Sequence, residues 1–238
     1  MRKFSFEINW LNTLLVVNFV IFGLVSLISN SLLYESDYAL IGALSTNFVI
    51  EGYFWLLITS TFLHFNLFHF LFNIFSLLNV GRIVLEFYSG KIVLITYILS
   101  GLLGSFLTVV AAVLTNTDMI SIGASGSIFG LAGLLLGGSM KKQRYGYGLP
   151  FGPLDILLPI SVAFFVGFIP GLGVNNWAHL GGFLTGMLLG FVLKTSTREI
   201  SNKQYVLSEN ILYYSSLAIL VFSFFLLLFN LFRVIFLF

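Results

Sequence analysis

The chain has 238 residues, of which 58% are hydrophobic and 8% charged, with a formal net charge of +2. A soluble domain carries about 25% charged residues, so a cytosolic globular enzyme, a nucleic-acid binder and a disordered chain are excluded, and the class is a polytopic membrane protein. Cys is absent, which removes disulfides, thiolate metal sites and a Cys nucleophile, and so small a net charge implies no polyanionic partner such as nucleic acid.

A spanning helix needs roughly 20 apolar residues. Seven segments meet that need, at 10–33, 64–85, 92–114, 122–140, 154–170, 177–193 and 211–232. The first follows Arg2 and Lys3 and competes with a signal-peptide reading. It has no small-x-small cleavage site near its end, so it is read as a retained helix. Ten of the eleven basic residues fall on one side of a seven-span arrangement, and Arg233 follows the last span. The opposite loops hold Glu35, Asp37, Glu51 and Asp118 without Lys or Arg. The expected orientation is N-terminus cytoplasmic and C-terminus outside.

Between the first two spans, residues 39–63 are apolar and aromatic but carry Gly42, Glu51 and Gly52. A full crossing there would spoil the charge alternation, so this stretch reads as an outer loop that dips into or lies on the membrane. No internal repeat supports a transporter built from repeated halves. The expected division is a core over 1–193 and a linker with a seventh span over 194–238.

Polar groups inside spans are functional candidates. His64, Asn66, His69 and Asn73 open the second span. His69 and Asn73 are one turn apart on one face, with Asn66 three residues before His69, and both side chains can donate hydrogen bonds. They could serve a developing oxyanion or simply join helices. His64 lies about 140° around a helix from His69 and reads as a loop anchor.

Ser125 sits in Gly123-Ala124-Ser125-Gly126-Ser127, just after the polar outer turn 115–118. Amides of a first helical turn lack intrahelical partners, point outward and favour negative charge. A nucleophile there carries an oxyanion donor in its own backbone. The bland alternative is that Ser and Gly permit close helix packing. The run is not a G-x-S-x-G elbow, because Ser127 replaces the last Gly.

His179 follows Asn175 and Asn176, either of which can cap a helix. The positive helix end disfavours imidazolium and favours a neutral base. Gly182, Gly186 and Gly190 share its face, while Phe129, Gly133 and Gly137 follow Ser125 at steps of four. Two small-residue stripes, each headed by a reactive side chain at the same depth, form a docking pattern that would pair Ser125 with His179. The alternative for His179 is a packing or capping role. An H-E-x-x-H run is absent, and no carboxylate lies between Glu51 and Glu86, which argues against a metal site. Asp37, Asp118 and Asp155 all lie outside the deep spans, so neither aspartyl chemistry nor a Ser-His-Asp triad is expected. If the chain is a catalyst, the expected arrangement is a Ser-His dyad with its His oriented by packing and with no cofactor needed.

Together these residues resemble the rhomboid family of intramembrane serine proteases. His64, His69 and Asn73 are similar to its H-x4-H-x3-N, Glu86 with Gly90 to its acidic-glycine turn, Gly123-Ala124-Ser125-Gly126 to its G-x-S-G, and Ala178-His179 with Gly182 and Gly186 to its A-H-x2-G-x3-G. The resemblance covers residues 10–193. It implies an all-α six-helix core plus one C-terminal span. It implies Ser125 as nucleophile, His179 as base, and His69, Asn73 and the Ser125 amide as the oxyanion hole. Phe129 would stack beneath the base, and His64 would be structural. Substrates would be membrane-anchored proteins entering sideways from the lipid, with span five and the loop 171–176 as gate and cap. Gly171, Gly173, Phe164 and Phe165 would give that side its mobility. The family often has a Trp-Arg pair in the first loop, whereas here Trp55 is followed by Leu56. A non-catalytic client-binding member is the first alternative, and a transporter the second. The placement expected is a bacterial plasma membrane, since neither a transit peptide nor a soluble domain is visible.

Overall fold

A computed structural model of the chain describes residues 9–32, 37–145, 149–166, 173–195 and 203–237. Arg2, Lys3, Glu35, Gly171, Arg198 and the end of the fifth expected span lie outside these residues. The long helices are α1 (Trp10–Leu32), α5 (Leu67–Phe87), α6 (Gly90–Thr115), α7 (Ser125–Tyr145), α8 (Pro153–Val166), α9 (Asn176–Val192) and α10 (Lys203–Leu237). Between α1 and α5 come α2 (Asp37–Ile41), β1 (Leu44–Ser45), α3 (Thr46–Ile50), α4 (Leu56–Thr59) and a 3₁₀ turn, Ser60–Phe62. A second short strand, β2 (Ile120–Ser121), precedes α7. The fold is an all-α membrane helical bundle.

Four helices are long and apolar enough to cross a membrane among the described residues: α1, α5, α6 and α10. The other three expected spans form helices of a different character. The α8 and α9 helices have 14 and 17 residues, and α7 is rich in Gly and Ser and ends in charged residues. A helix facing protein on most sides needs little apolar bulk, and small residues let its neighbours approach. Most of α7 from Gly126 to Ser139 is buried.

Local chemistry sets the boundaries. The Asn66 side chain accepts from the His69 amide at 2.9 Å and caps α5. Asn116 ends α6 in the left-handed region at φ 51°. Pro153 opens α8 where its missing N–H costs nothing, and Asp155 accepts from the Gly152 amide at 2.7 Å. The first half of α6 is buried all round, with Ile92 to Ile98 enclosed, while Leu103, Phe106 and Val113 of its second half face outward; the enclosed half sits at the centre of the bundle.

The stretch 39–63 does not cross the bundle. It folds into the short helices α2 to α4 and is pinned by β1, which pairs antiparallel with β2 (Leu44 opposite Ser121, Ser45 opposite Ile120). The Thr46 hydroxyl donates to Asp118 at 2.8 Å and accepts from the Met119 amide at 3.1 Å. The first loop is therefore stitched to the turn that introduces α7.

Candidate active site

Ser125 is the first residue of α7 and His179 lies in the first turn of α9. Their side chains meet, with Ser125 Oγ 2.8 Å from His179 Nε2. The imidazole is buried and lies parallel to the Phe129 ring, with centroids 4.2 Å apart and 8° between planes. Phe129 is one turn along α7 from Ser125, so a single helix supplies both the partner and the surface on which the ring rests. Among the described residues His179 Nδ1 has no hydrogen-bond partner. Stacking, rather than a carboxylate, holds the ring.

The two helices approach through glycine. A Cβ on Gly182 would run into the Gly126 carbonyl, and one on Gly186 into the Gly130 carbonyl. Gly133 and Gly137 meet the Phe183 and Met187 carbonyls, and Gly190 meets that of Leu134. The two expected stripes do dock, though Gly126 and Gly130 also line the contact on the α7 side. Gly104 of α6 belongs to the same packing, since a Cβ there would lie 2.6 Å from the Ala178 carbonyl oxygen.

His69 and Asn73 converge on Gly123. A Cβ at Gly123 would stand 2.7 Å from His69 Nε2 and 3.6 Å from Asn73 Nδ2. Gly123 itself adopts φ +125°, a conformation side chains rarely reach, and its amide donates to the Ser60 carbonyl at 2.9 Å. Two side-chain donors thus flank the loop that leads, two residues on, to Ser125. Asn73 Nδ2 also donates to the His69 carbonyl at 3.0 Å. Asn66 departs from expectation: it is the cap of α5, not a third donor on that face. His64 precedes the helix, is buried, and packs edge-on against His69 and Phe70 at 5.2 and 5.4 Å between centroids.

Asn175 is the residue that sequence reasoning undervalued. Its side-chain oxygen Oδ1 accepts from the Ala178 amide at 3.1 Å, so it, not Asn176, caps α9. Its amide also donates to Thr108 Oγ1 at 2.9 Å and Ser121 Oγ at 3.0 Å. One side chain joins the start of α9 to α6 and β2. The capping signal was visible; the two distant hydroxyls were not. Among the described residues no group of three or more His, Cys, Asp or Glu comes together.

The Rhomboid domain family model matches residues 51–196. The chain belongs to the rhomboid family. Among its relatives, RHOMBOID-like protein 1 of Arabidopsis thaliana is 39% identical over 168 residues, covering 68% of this chain and 41% of that one. Inactive RHOMBOID-like protein 8 of the same plant is 35% identical, covering 69% and 46%. Rhomboid protease GluP of Bacillus subtilis (strain 168) is 28% identical, covering 64% and 28%. This rhomboid chain spans about half or less of the length of most of these curated relatives. The match takes in α5, α6, α7 and α9, the helices that carry His69, Asn73, Gly104, Ser125 and His179.

Proposed function

We propose that the chain is an intramembrane serine endopeptidase that cleaves membrane-anchored proteins in or beside their transmembrane segment near the outer face. The observation that carries this reading is the contact of 2.8 Å between Ser125 Oγ and His179 Nε2 inside a helical membrane bundle. With its proton on Nδ1, the imidazole accepts the Ser125 proton as Oγ attacks the scissile carbonyl. The negative oxygen that develops is met by His69, Asn73 and the first-turn amide of Ser125, and losing one such donor costs about 10²–10³ in rate. His179 then returns the proton to the leaving amine. Water, activated by the same imidazole, releases the acyl group from Ser125.

Residues 1–193 form the catalytic unit in this reading and 194–238 add a linker and the seventh span. The distribution of Lys and Arg supports a cytoplasmic N-terminus and, with it, a dyad near the outer side. The placement proposed is a bacterial plasma membrane; the relatives include a rhomboid protease of a bacterium and plant proteins, one of them named as mitochondrial, which marks the competing placement. A client-binding role without catalysis is the second reading, because one relative is named inactive. The presence of both Ser125 and His179, in contact, favours the enzyme.

The test requires no known substrate. Purified protein is treated with a fluorescent fluorophosphonate beside Ser125→Ala and His179→Ala. The wild type labels, and each variant loses at least about a thousandfold in rate. Labelling that survives Ser125→Ala, or a wild type that does not label, removes the dyad and leaves client binding.

A further inference from the structure

The seventh span has a built interface of its own. Among the described side chains of α10, the buried ones are Tyr213, Ser216, Leu220, Ser223, Leu227 and Leu231. Their spacing of three and four is the seam of a helix that packs along a neighbour over several turns. That neighbour is α6, and the outer half of α10 also packs on α2 and α4 of the first loop. Near the other end, Lys91 Nζ donates to Asn210 Oδ1 at 3.2 Å and sits 5.1 Å above the Tyr213 ring.

The outer contacts lead toward the site. Phe224 meets Phe62 edge-on at 6.1 Å between centroids. Leu227 lies beneath Gly42, where an added Cβ would be 3.7 Å from Leu227 Cδ1. The Gly42 carbonyl accepts from Thr59 Oγ1 at 2.6 Å. Thr59 and Phe62 bracket Ser60, whose carbonyl holds the Gly123 amide at 2.9 Å. Gly123 is the residue against which His69 Nε2 is packed, two positions before Ser125.

We infer that α10 is a brace for the catalytic centre, with Phe224 and Leu227 as positioning residues that hold 59–62 so that Gly123, and with it the Ser125 amide, stays in register with His69 and Asn73. The inference rests on Ser125 being the nucleophile. It assigns the C-terminal helix a task in the reaction rather than in membrane anchoring. The line of contact is short: α10 side chains touch Phe62 and Gly42, and the segment these belong to donates no side chain to the chemistry but fixes one backbone bond of the nucleophile loop. Small displacements at such a bond are costly in rate, since misplacement by about 1 Å costs up to 10²-fold.

Phe224→Ala and Leu227→Ala test it, with Phe225→Ala as the control, since Phe225 is 64% exposed on the same turn. Fluorophosphonate labelling gives two readings: amplitude reports the folded, competent fraction, and rate reports the geometry of that fraction. We expect full amplitude with a rate lowered by about tenfold to a hundredfold in the two brace variants, no change in the control, and substantial recovery in Phe224→Leu. Lower amplitude at an unchanged rate would mean that α10 only stabilises the fold, and would overturn the inference. So would wild-type rates in both brace variants, or an equal loss in Phe225→Ala. Absence of labelling in the wild type overturns the nucleophile assignment first, and the brace with it.

Discussion

The helices on either side of α7 are held to it by different means. The α9 contact is made backbone to backbone through Gly126, Gly130, Gly133 and Gly137 on one side and Gly182, Gly186 and Gly190 on the other. The α8 contact is made by side chains, and beside it lies a cleft of about 260 Å³ lined by Val80 and Ile83 of α5, Ala132 and Leu135 of α7, and Ile156 and Ile160 of α8. Leu154, Leu158, Val162 and Phe165 of α8 face outward, and Pro159 interrupts its hydrogen-bond ladder. In lipid the apolar faces of helices gain little by meeting, so close packing is what fixes one helix against another. The contact between Ser125 and His179 bridges the closely packed pair, while the loosely joined helix carries neither residue.

The largest effect is expected where that tight pair is forced apart. At Gly186 even a methyl group meets the Gly130 carbonyl, which is backbone and cannot rotate away. Overpacking of this kind costs about 1–3 kcal/mol for a small insertion, and a β-branched side chain costs more. Gly186→Ala should lower the melting midpoint in detergent by about 2–12 °C, and Gly186→Val should leave no labelled fraction. Wild-type melting in Gly186→Val would show that α7 and α9 separate freely, and the contrast with α8 would be lost.

A smaller effect is expected at the tie that starts α9. Asn175→Ala removes the cap and two bonds to Thr108 and Ser121, and a cap alone is worth about 1 kcal/mol. Asn175→Ser restores the cap but is too short for both hydroxyls. Chemical unfolding of the three proteins should rank them wild type, Ser, then Ala, with the labelling rate in the same order because His179 is one turn away. Equal stability of Ser and wild type would assign Asn175 to capping alone.

Much of this contrast could be anticipated from residues at fixed spacing. Seven apolar stretches became seven long helices, and the first-turn positions of Ser125 and His179 followed from the polar turns before them. The small residues after each announced that the helices could touch. The limits of hydropathy show at the ends. It stopped α7 at Met140, but Lys141, Lys142 and Arg144 are good helix formers that extend it to Tyr145. It started the last helix at residue 211, whereas α10 begins at Lys203. It also began α7 at residue 122, but Ile120 and Ser121 pair with β1 and Gly123 turns the chain before the helix starts. The folding of 39–63 was illegible for the same reason. Its contacts with Asp118, Met119, Ser121, Gly123 and α10 are distant in sequence, and no local pattern encodes them.

The smallest effect belongs to α8, and it separates loose packing from mere exposure. Truncating a buried aliphatic side chain usually costs about 2–5 kcal/mol, part of it for the cavity left behind. Leu131 of α7 is fully enclosed, and Leu131→Ala should cost within that range. Ile160 borders a cleft that already exists, so Ile160→Ala enlarges an opening instead of creating one. It also loses few contacts, because one side of the residue has no close neighbours to lose. We expect Ile160→Ala to cost less than about 1.5 kcal/mol and to leave the amplitude and rate of labelling at wild-type values. Melting curves for the two variants in the same detergent decide the matter. An equal loss for Ile160→Ala and Leu131→Ala would mean that α8 is seated on α7 as firmly as α9 is. Side-chain packing would then be no looser than glycine packing in this bundle, and the position of the Ser125–His179 contact would owe nothing to the choice between them.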